Sequence, residues 1–314
     1  MIETQSITKT YRNGFEAVKG IDLQVGTGDI FGFLGPNGAG KTTTIRMLDG
    51  LLAPSSGKAL IDGIDIQKDP LKVKSIIGVV PESHGYYYWM TAKEYLQYFN
   101  SLFNKREKND VYIDELLKKV GLADKKDVPV GQFSRGMKQR LGIAKSLINR
   151  PKVIFLDEPT LGLDPRGQRE IQQLLLDINQ NDGITIFITS HMLKDIEVLC
   201  NTVSIVKDGQ MVEQGSIKEL QRKYMPSYVM QLHTGDDAAA KALLSKLQPI
   251  QSVTEIENSL ELKFAEGLTG AEINEVKHQI LREVFTADID VKEMTSKTLS
   301  MEDIFFKVTE AKQQ

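Results

Sequence analysis

The residues best suited to chemistry lie in Gly35-Pro36-Asn37-Gly38-Ala39-Gly40-Lys41-Thr42-Thr43, which fits the pattern G-x-x-x-x-G-K-[ST]. Its glycines leave room for consecutive backbone N–H groups at a helix N-terminus to point at one polyphosphate. Lys41 adds a point charge for the β- and γ-phosphates, and the Thr42 hydroxyl can sit on Mg²⁺. A second group is Asp157-Glu158, two adjacent carboxylates delivered by the apolar run Val153-Ile154-Phe155-Leu156. Such a pair facing a phosphate loop suits metal binding and activation of a water, and a plain surface turn is the competing reading. His191 stands just past the run Ile184 to Ile188, in the same sheet as the two carboxylates. Glu82 follows Pro81 at the end of Ile76-Ile77-Gly78-Val79-Val80, where a polar side chain can reach a metal or an attacking water.

Two further positions could bind a ligand. Ser134 is at an N-cap position of the helix that begins Phe133-Ser134-Arg135-Gly136-Met137-Lys138-Gln139-Arg140, and Gly136 leaves an amide of the first turn approachable. That helix end either binds an anion or is simply capped. Tyr11 lies at a turn ahead of the phosphate loop, where its ring either stacks on a purine or packs on the surface.

These residues need elements to hold them. Ile30-Phe31-Gly32-Phe33-Leu34 reads as a buried strand before the loop, and Thr43 to Leu48 as the start of a helix. Residues 2–8 and 21–25 alternate as a half-exposed antiparallel ribbon, and Lys58–Ile61 with Ile64–Ile66 form a hairpin about Asp62-Gly63. Ile76–Val80 reads as an interior strand. From about 86 to 148 the chain is mainly helical and reads as a subdomain inserted between strands. It opens with the aromatic cluster Tyr86-Tyr87-Tyr88-Trp89, then the capping box Thr91-Ala92-Lys93-Glu94, whose helix carries Tyr95, Phe99 and Leu102 on one face. The aromatic cluster is either a core patch or a contact surface. Leu161-Gly162-Leu163-Asp164-Pro165 is a turn into a helix over roughly 166–180, and a hairpin about Asp208-Gly209 closes a large domain over residues 1–223. Residues 224–314 read β-α-β-β-α-β, the order of a ferredoxin-like module, with a last helix near Met301–Thr309 able to pack across it.

Composition narrows the function class. The chain has 314 residues, 41% hydrophobic and 26% charged, which suits one large domain plus a small one. Its single cysteine, Cys200, excludes an internal disulfide. Residues 224–314 carry a net charge of −6 and residues 1–223 a net of +3, so neither has the basic excess of a nucleic-acid binder. Met1-Ile2-Glu3-Thr4 lacks the basic start of a signal peptide, and no uncharged stretch is long enough to span a bilayer.

Taken in order, Gly35–Thr43, Phe133–Gln139, Asp157-Glu158, Leu161–Asp164 and His191 resemble the nucleotide-binding subunit of an ATP-binding cassette (ABC) transporter, especially the bacterial branch paired with type-2 export permeases. In that family these segments are Walker A, the signature motif, the end of Walker B, the D-loop and the switch histidine. The resemblance covers residues 1 to about 220, and the terminal Met301-Glu302-Asp303-Ile304-Phe305 resembles the tail of the same branch. It implies an α/β fold, a P-loop NTPase cassette of mixed sheet with an antiparallel β subdomain and an inserted helical subdomain, to which residues 224–314 add a small C-terminal α+β domain, either accessory and regulatory or for dimerisation. It implies ATP and Mg²⁺ as cofactors, Thr42, Asp157 and Glu82 near the metal, and Glu158, His191 and Glu82 as the catalytic set. Tyr11 falls where the family stacks an aromatic on adenine, Ser134, Gly136 and Asp164 join the nucleotide-binding residues, and the Ser134 helix end caps ATP held by a second copy. The partners implied are that copy and a membrane permease, at the cytoplasmic face of a bacterial membrane, in export, with no nucleic acid. Two departures stand out: Glu82 replaces the usual glutamine, and the signature reads Phe-Ser-Arg-Gly-Met, which leaves the roles of Arg135 and Met137 open. A GTPase would read guanine with Asn-Lys-x-Asp, and Asn104-Lys105-Arg106-Glu107 lacks the aspartate. Two rival functions share the cassette: a soluble ABC ATPase acting on ribosomes or nucleic acid, and a ligand-regulated ATPase whose sensor is residues 224–314.

Overall fold

The computed structural model describes residues 1–83, 85–103, 110–224, 227–256, 258–297 and 299–310. The Asn104–Glu107 string and His84 lie outside the described residues. Internal contacts divide the chain into two units, one of Met1–Ile217 with the stretch from Phe305 onward, the other of Lys218–Ile304.

In the first unit, β1 (Ile2–Thr10), β2 (Glu16–Ile21) and β3 (Gln24–Val25) open an antiparallel sheet. The Asn13-Gly14 turn between β1 and β2 is tight, with the Tyr11 amide donating to the Phe15 carbonyl at 2.9 Å. Next come β4 (Ile30–Leu34), α1 (Lys41–Leu48), β5 (Ser56–Ile61) and β6 (Ile64–Asp65). β1 pairs with β5, which gives the path β2-β1-β5-β6 with β3 beside β1. α2 (Pro70–Ile76) takes Ile76 away from the strand expected there, leaving β7 (Ile77–Val80).

The chain between β7 and the next strand holds α3 (Ala92–Phe103), α4 (Asp110–Lys119) and α5 (Arg135–Leu147). The capping box of α3 is formed: the Thr91 amide donates to Glu94 Oε2 at 2.8 Å, and the Glu94 amide donates to Thr91 Oγ1 at 3.2 Å. Its buried face is Ala92, Tyr95, Leu96 and Asn100. Leu102, expected on that face, is 58% exposed, because the last turn carries it and Phe103 out into solvent.

Then follow β8 (Val153–Asp157), α6 (Pro165–Asp182), β9 (Thr185–Ser190), α7 (Leu193–Leu199), β10 (Thr202–Lys207) and β11 (Gln210–Ser216). The large sheet runs β11-β10-β4-β9-β8-β7, parallel except for the β10–β11 hairpin. β7 is therefore an edge strand, not an interior one. Its apolar run is explained by α5 lying against it, so close that a Cβ on Gly78 would stand 2.2 Å from the Ser146 carbonyl oxygen. The parallel register sets Leu34 beside Ser190, Thr189 beside Asp157, and Leu156 beside Val80. All four strands thus end at one edge of the sheet, where ligands bind in open α/β folds. Behind that edge the rings of Phe31, Phe33 and Phe155 pack within 5.3–5.5 Å of Phe187. These side chains are fully buried, so the strand ends start from a rigid base.

The second unit begins within α8 (Ile217–Tyr224) and holds β12 (Ser227–Thr234), α9 (Asp237–Leu244), β13 (Ile250–Ile256), β14 (Ser259–Glu266), α10 (Gly270–Thr286) and β15 (Val291–Lys297). Its sheet is antiparallel in the order β13-β14-β12-β15, the connectivity of a split β-α-β pair. Leu232, Leu260, Leu262, Phe264, Ile280 and Val284 form its core. The last helix, α11 (Met301–Glu310), does not belong wholly to this module. From Phe305 it groups with the first unit, where Lys207 Nζ donates to the Thr309 carbonyl at 2.5 Å.

Candidate active site

The edge where β4, β7, β8 and β9 end opens into a cleft of about 660 Å³. From the loop between β4 and α1 it is lined by Asn37, Gly38, Gly40, Lys41, Thr42 and Thr43. Glu82 enters from the segment after β7, Asp157 and Glu158 from the end of β8, and His191 from the end of β9. The loop depends on its glycines in different ways. A Cβ on Gly35 would stand 2.4 Å from the Val206 carbonyl oxygen, and Gly40, at φ +97°, lies against the Ala17 carbonyl. Gly35 and Pro36 contribute through their carbonyls, which accept from Lys41 Nζ at 2.7 and 3.1 Å. Ala39 is buried and packs in the core.

Burial tunes the charged groups here. Desolvation lowers the pKa of the Lys41 ammonium, against the pull of Glu158 and Asp157. Burial raises the Glu158 pKa, while His191 and Lys41 oppose the shift. Asp157 accepts from Thr189 Oγ1 at 2.6 Å, which fixes its carboxylate at the strand end. Glu158 has a positive φ of 52°, a strained conformation for a residue with a side chain. Its amide donates to the Thr189 carbonyl at 3.1 Å, and its carboxylate lies 2.8 Å from His191 Nδ1 and accepts from the His191 amide at 3.3 Å. The base candidate and the histidine therefore form one hydrogen-bonded pair. Its water-accessible carboxylate, raised in pKa, has the character a general base requires.

Not every expected residue lines this cleft. The Tyr11 hydroxyl is 3.2 Å from Thr43 Oγ1, with the ring partly exposed, but Phe15 and Ala17 are the residues of that ribbon lining the cleft. Sequence reasoning missed them because it missed β2. The Asn13-Gly14 pair was the signal for it, since a tight hairpin there sets Phe15 across from Tyr11. Leu161 also lines the cleft and was not foreseen. Ser134, Gly136 and Asp164 line a separate cleft of about 570 Å³. There Ser134 Oγ accepts from the Met137 amide at 3.2 Å and Asp164 Oδ1 from the Gly167 amide at 3.0 Å, so each caps a helix.

The ABC transporter family model matches residues 18–161, and the model for the C-terminal domain of DrrA1-3-like ATP-binding proteins matches residues 215–309. The uncharacterized ABC transporter ATP-binding protein YcbN of Bacillus subtilis is 34% identical over 98% of this chain and 96% of its own length. The chain belongs to the ABC transporter ATP-binding subunits. The bacitracin transport ATP-binding protein BcrA of Bacillus licheniformis is 43% identical over 72% of this chain and 74% of that protein. Among solved structures, the dimeric cassette MJ0796 in a post-hydrolysis state with ADP and Pi has a TM-score of 0.64 at 26% identity, covering 69% of this chain and 99% of its own. The cbiO1 subunit from Clostridium perfringens, part of the complex cbiONQ, has a TM-score of 0.63 at 33% identity, covering 71% and 93%.

Membership in the ABC family makes this chain an ATPase whose ATP binding and hydrolysis power a membrane transporter. Subunits of the family dimerise and work with membrane permeases, which makes them peripheral to the membrane. No helix among the described residues is long and apolar enough to cross a membrane.

Proposed function

We propose that this subunit works as a head-to-tail homodimer in which each ATP lies between the Lys41 cleft of one copy and the Ser134 cleft of the other. The observation that carries this reading is the separation of the site residues into two clefts on one chain. One has the phosphate loop and the carboxylates, while the other has two capped helix starts whose free amides favour an anion. Joining two copies completes both sites at once.

Within that arrangement the Lys41 ammonium exchanges its two loop carbonyls for phosphate oxygens. Glu158 takes the proton of the attacking water, and His191 holds the Glu158 carboxylate and reaches the γ-phosphate. Tyr11 and Phe15 border the adenine end, with Tyr11 stacking on the base. Three carboxylates and one ammonium line the cleft, so a polyphosphate needs a cation there. Among the described residues no group of three acidic, histidine or cysteine side chains could cage a metal by itself. That donor set fits Mg²⁺, which keeps waters and phosphate oxygens as ligands and takes only one or two carboxylates from protein. Thr42, Asp157 and Glu82 would hold it, and when bound it neutralises charge on the phosphates. Residues 224–314 serve as an accessory domain, and the subunit drives export from the cytoplasmic face of a bacterial membrane. The bacitracin transport relative supports a transport role, and export is the direction that the resemblance to the type-2 export branch implies.

The test is Glu158→Gln. The variant should bind ATP with normal affinity but hydrolyse it about 100- to 10,000-fold more slowly, the range of positioned general-base catalysis. Near-normal turnover, measured as phosphate release, would remove Glu158 from the role.

A further inference from the structure

The signature segment has an arginine, Arg135, at the first position of α5. That is an adverse site for a cation, because a helix N-terminus already carries partial positive charge, and the first turn of α5 has no acidic residue to offset it. Among the described residues Arg135 makes no ion pair. The other two arginines of the same cleft do: Arg140 and Arg166 share Glu170, at 2.5 and 3.0 Å. The remaining carboxylates of the cleft are Asp164, which caps α6, and Asp124, which lies 3.8 Å from Lys125 Nζ. The guanidinium is also held in place from outside its own helix. It lies over Gly162, so close that a Cβ there would stand 2.1 Å from Nη1 and 2.3 Å from Cζ. It therefore fills the space of a missing side chain in the segment leading to Asp164. This is an exposed, positioned and uncompensated cation in the cleft that holds Ser134 and Gly136.

We infer that Arg135 is a further phosphate-contacting residue, supplying its guanidinium in trans to the terminal phosphate of ATP held by the Lys41 cleft of the partner copy. This rests on the head-to-tail reading above. A planar guanidinium can meet two phosphate oxygens at once, and the charge it brings is matched only when the third phosphate is present. The contact thus makes dimerisation selective for triphosphate over diphosphate. The volume that the guanidinium occupies is free because residue 162 is glycine.

The test uses the full chain in the Glu158→Gln background with ATP and Mg²⁺, reading dimer fraction by light scattering. A fluorescent ATP analogue at protein concentrations below dimerisation reads nucleotide binding by the monomer. Adding Arg135→Ala should raise the ATP concentration for half-dimerisation about tenfold to a hundredfold, the effect of losing one charged hydrogen bond. Arg135→Lys should recover part of that loss, while monomer affinity and the nucleotide-free melting temperature stay unchanged. Dimerisation of Arg135→Ala at the original ATP concentration would overturn the inference. So would an equal loss of monomer affinity, which means a contact in cis, or a fall in melting temperature that Arg135→Lys does not restore, which means a prop for the Gly162 segment. Ser134→Arg is the control for the underlying reading. If the background protein does not dimerise with ATP, or does so regardless of Ser134→Arg, the head-to-tail reading falls first and the inference with it.

Discussion

Gly35, Gly38 and Gly40 sit within six residues of one loop, yet each is glycine for a different reason, so alanine should cost a different amount at each. Gly38 has φ +83° with open space around a built Cβ, so Gly38→Ala meets only the left-handed backbone penalty, about 1–2 kcal/mol. Gly35 lacks a left-handed φ, but its Cβ would stand 2.4 Å from the Val206 carbonyl and 3.0 Å from Ala39 Cβ. Crowding of that kind in a packed site costs about 1–3 kcal/mol. Gly40 combines both, with φ +97° and a Cβ 2.5 Å from the Ala17 carbonyl, and the two costs sum to about 2–5 kcal/mol. Urea unfolding of the three nucleotide-free variants should therefore rank Gly40→Ala as the least stable and Gly38→Ala as the mildest. The reasoning fails if Gly38→Ala costs as much as Gly40→Ala, or if Gly35→Ala is neutral.

Two other predictions concern groups outside the cleft. Asp49, 3% exposed at the end of α1, has its pKa pushed up to about 6 by burial. The folded value lies above the unfolded one, so the folded chain holds the proton more tightly. Its contribution is fully present below about pH 4 and is lost as pH rises through about 6. Asp49→Asn should then be more stable than the parent at pH 8 by about 2–3 kcal/mol and converge with it at acid pH, and an equal gap in melting temperature at both would refute the assignment. Trp89 is 74% exposed, so Trp89→Ala should forfeit about 1–2 kcal/mol of area burial, plus about 0.5–1.5 kcal/mol from its ring contact with Tyr87. The variant should keep ATPase activity as an isolated subunit but lose copurification with its permease, and a loss above about 4 kcal/mol would instead make it core.

The candidate cleft was legible because of how parallel sheets are built. A strand covered on both faces reads as a continuous apolar run, and a polar residue directly after such a run must emerge at the sheet edge. That rule found the loop after Leu34, the carboxylates after Leu156 and the histidine after the Ile184–Ile188 run. The same rule misjudged β7, whose apolar run comes from the backbone of α5 and not from a second neighbouring strand. Short elements escaped altogether: β2 has adjacent buried residues at Ala17 and Val18 where alternation was sought, and α2 and α7 are each seven residues long. With β2 went Phe15. The strained φ of Glu158 was invisible too, since the Thr189 carbonyl that holds its amide lies on another strand.

The aromatic cluster shows where composition stops being informative. Tyr86 is half-buried, donates its hydroxyl to the Lys138 carbonyl at 2.6 Å and packs on Tyr95, so it is tied into the helical subdomain. Tyr87 packs among Trp89, Tyr98 and Phe99 at 5.3–6.4 Å, yet Trp89 itself and its neighbour Tyr88 remain largely exposed. Residues 85–90 are neither helix nor strand, so no period of 2 or 3.6 assigns faces to them. Each ring's fate depends on α3 and α5, which meet only in the folded chain. The choice between core patch and contact surface thus had no single answer for the cluster. Its first ring is core, its exposed rings form an apolar edge, and Tyr87 joins the two, so substituting Tyr87 cannot separate stability from docking, whereas substituting Trp89 can.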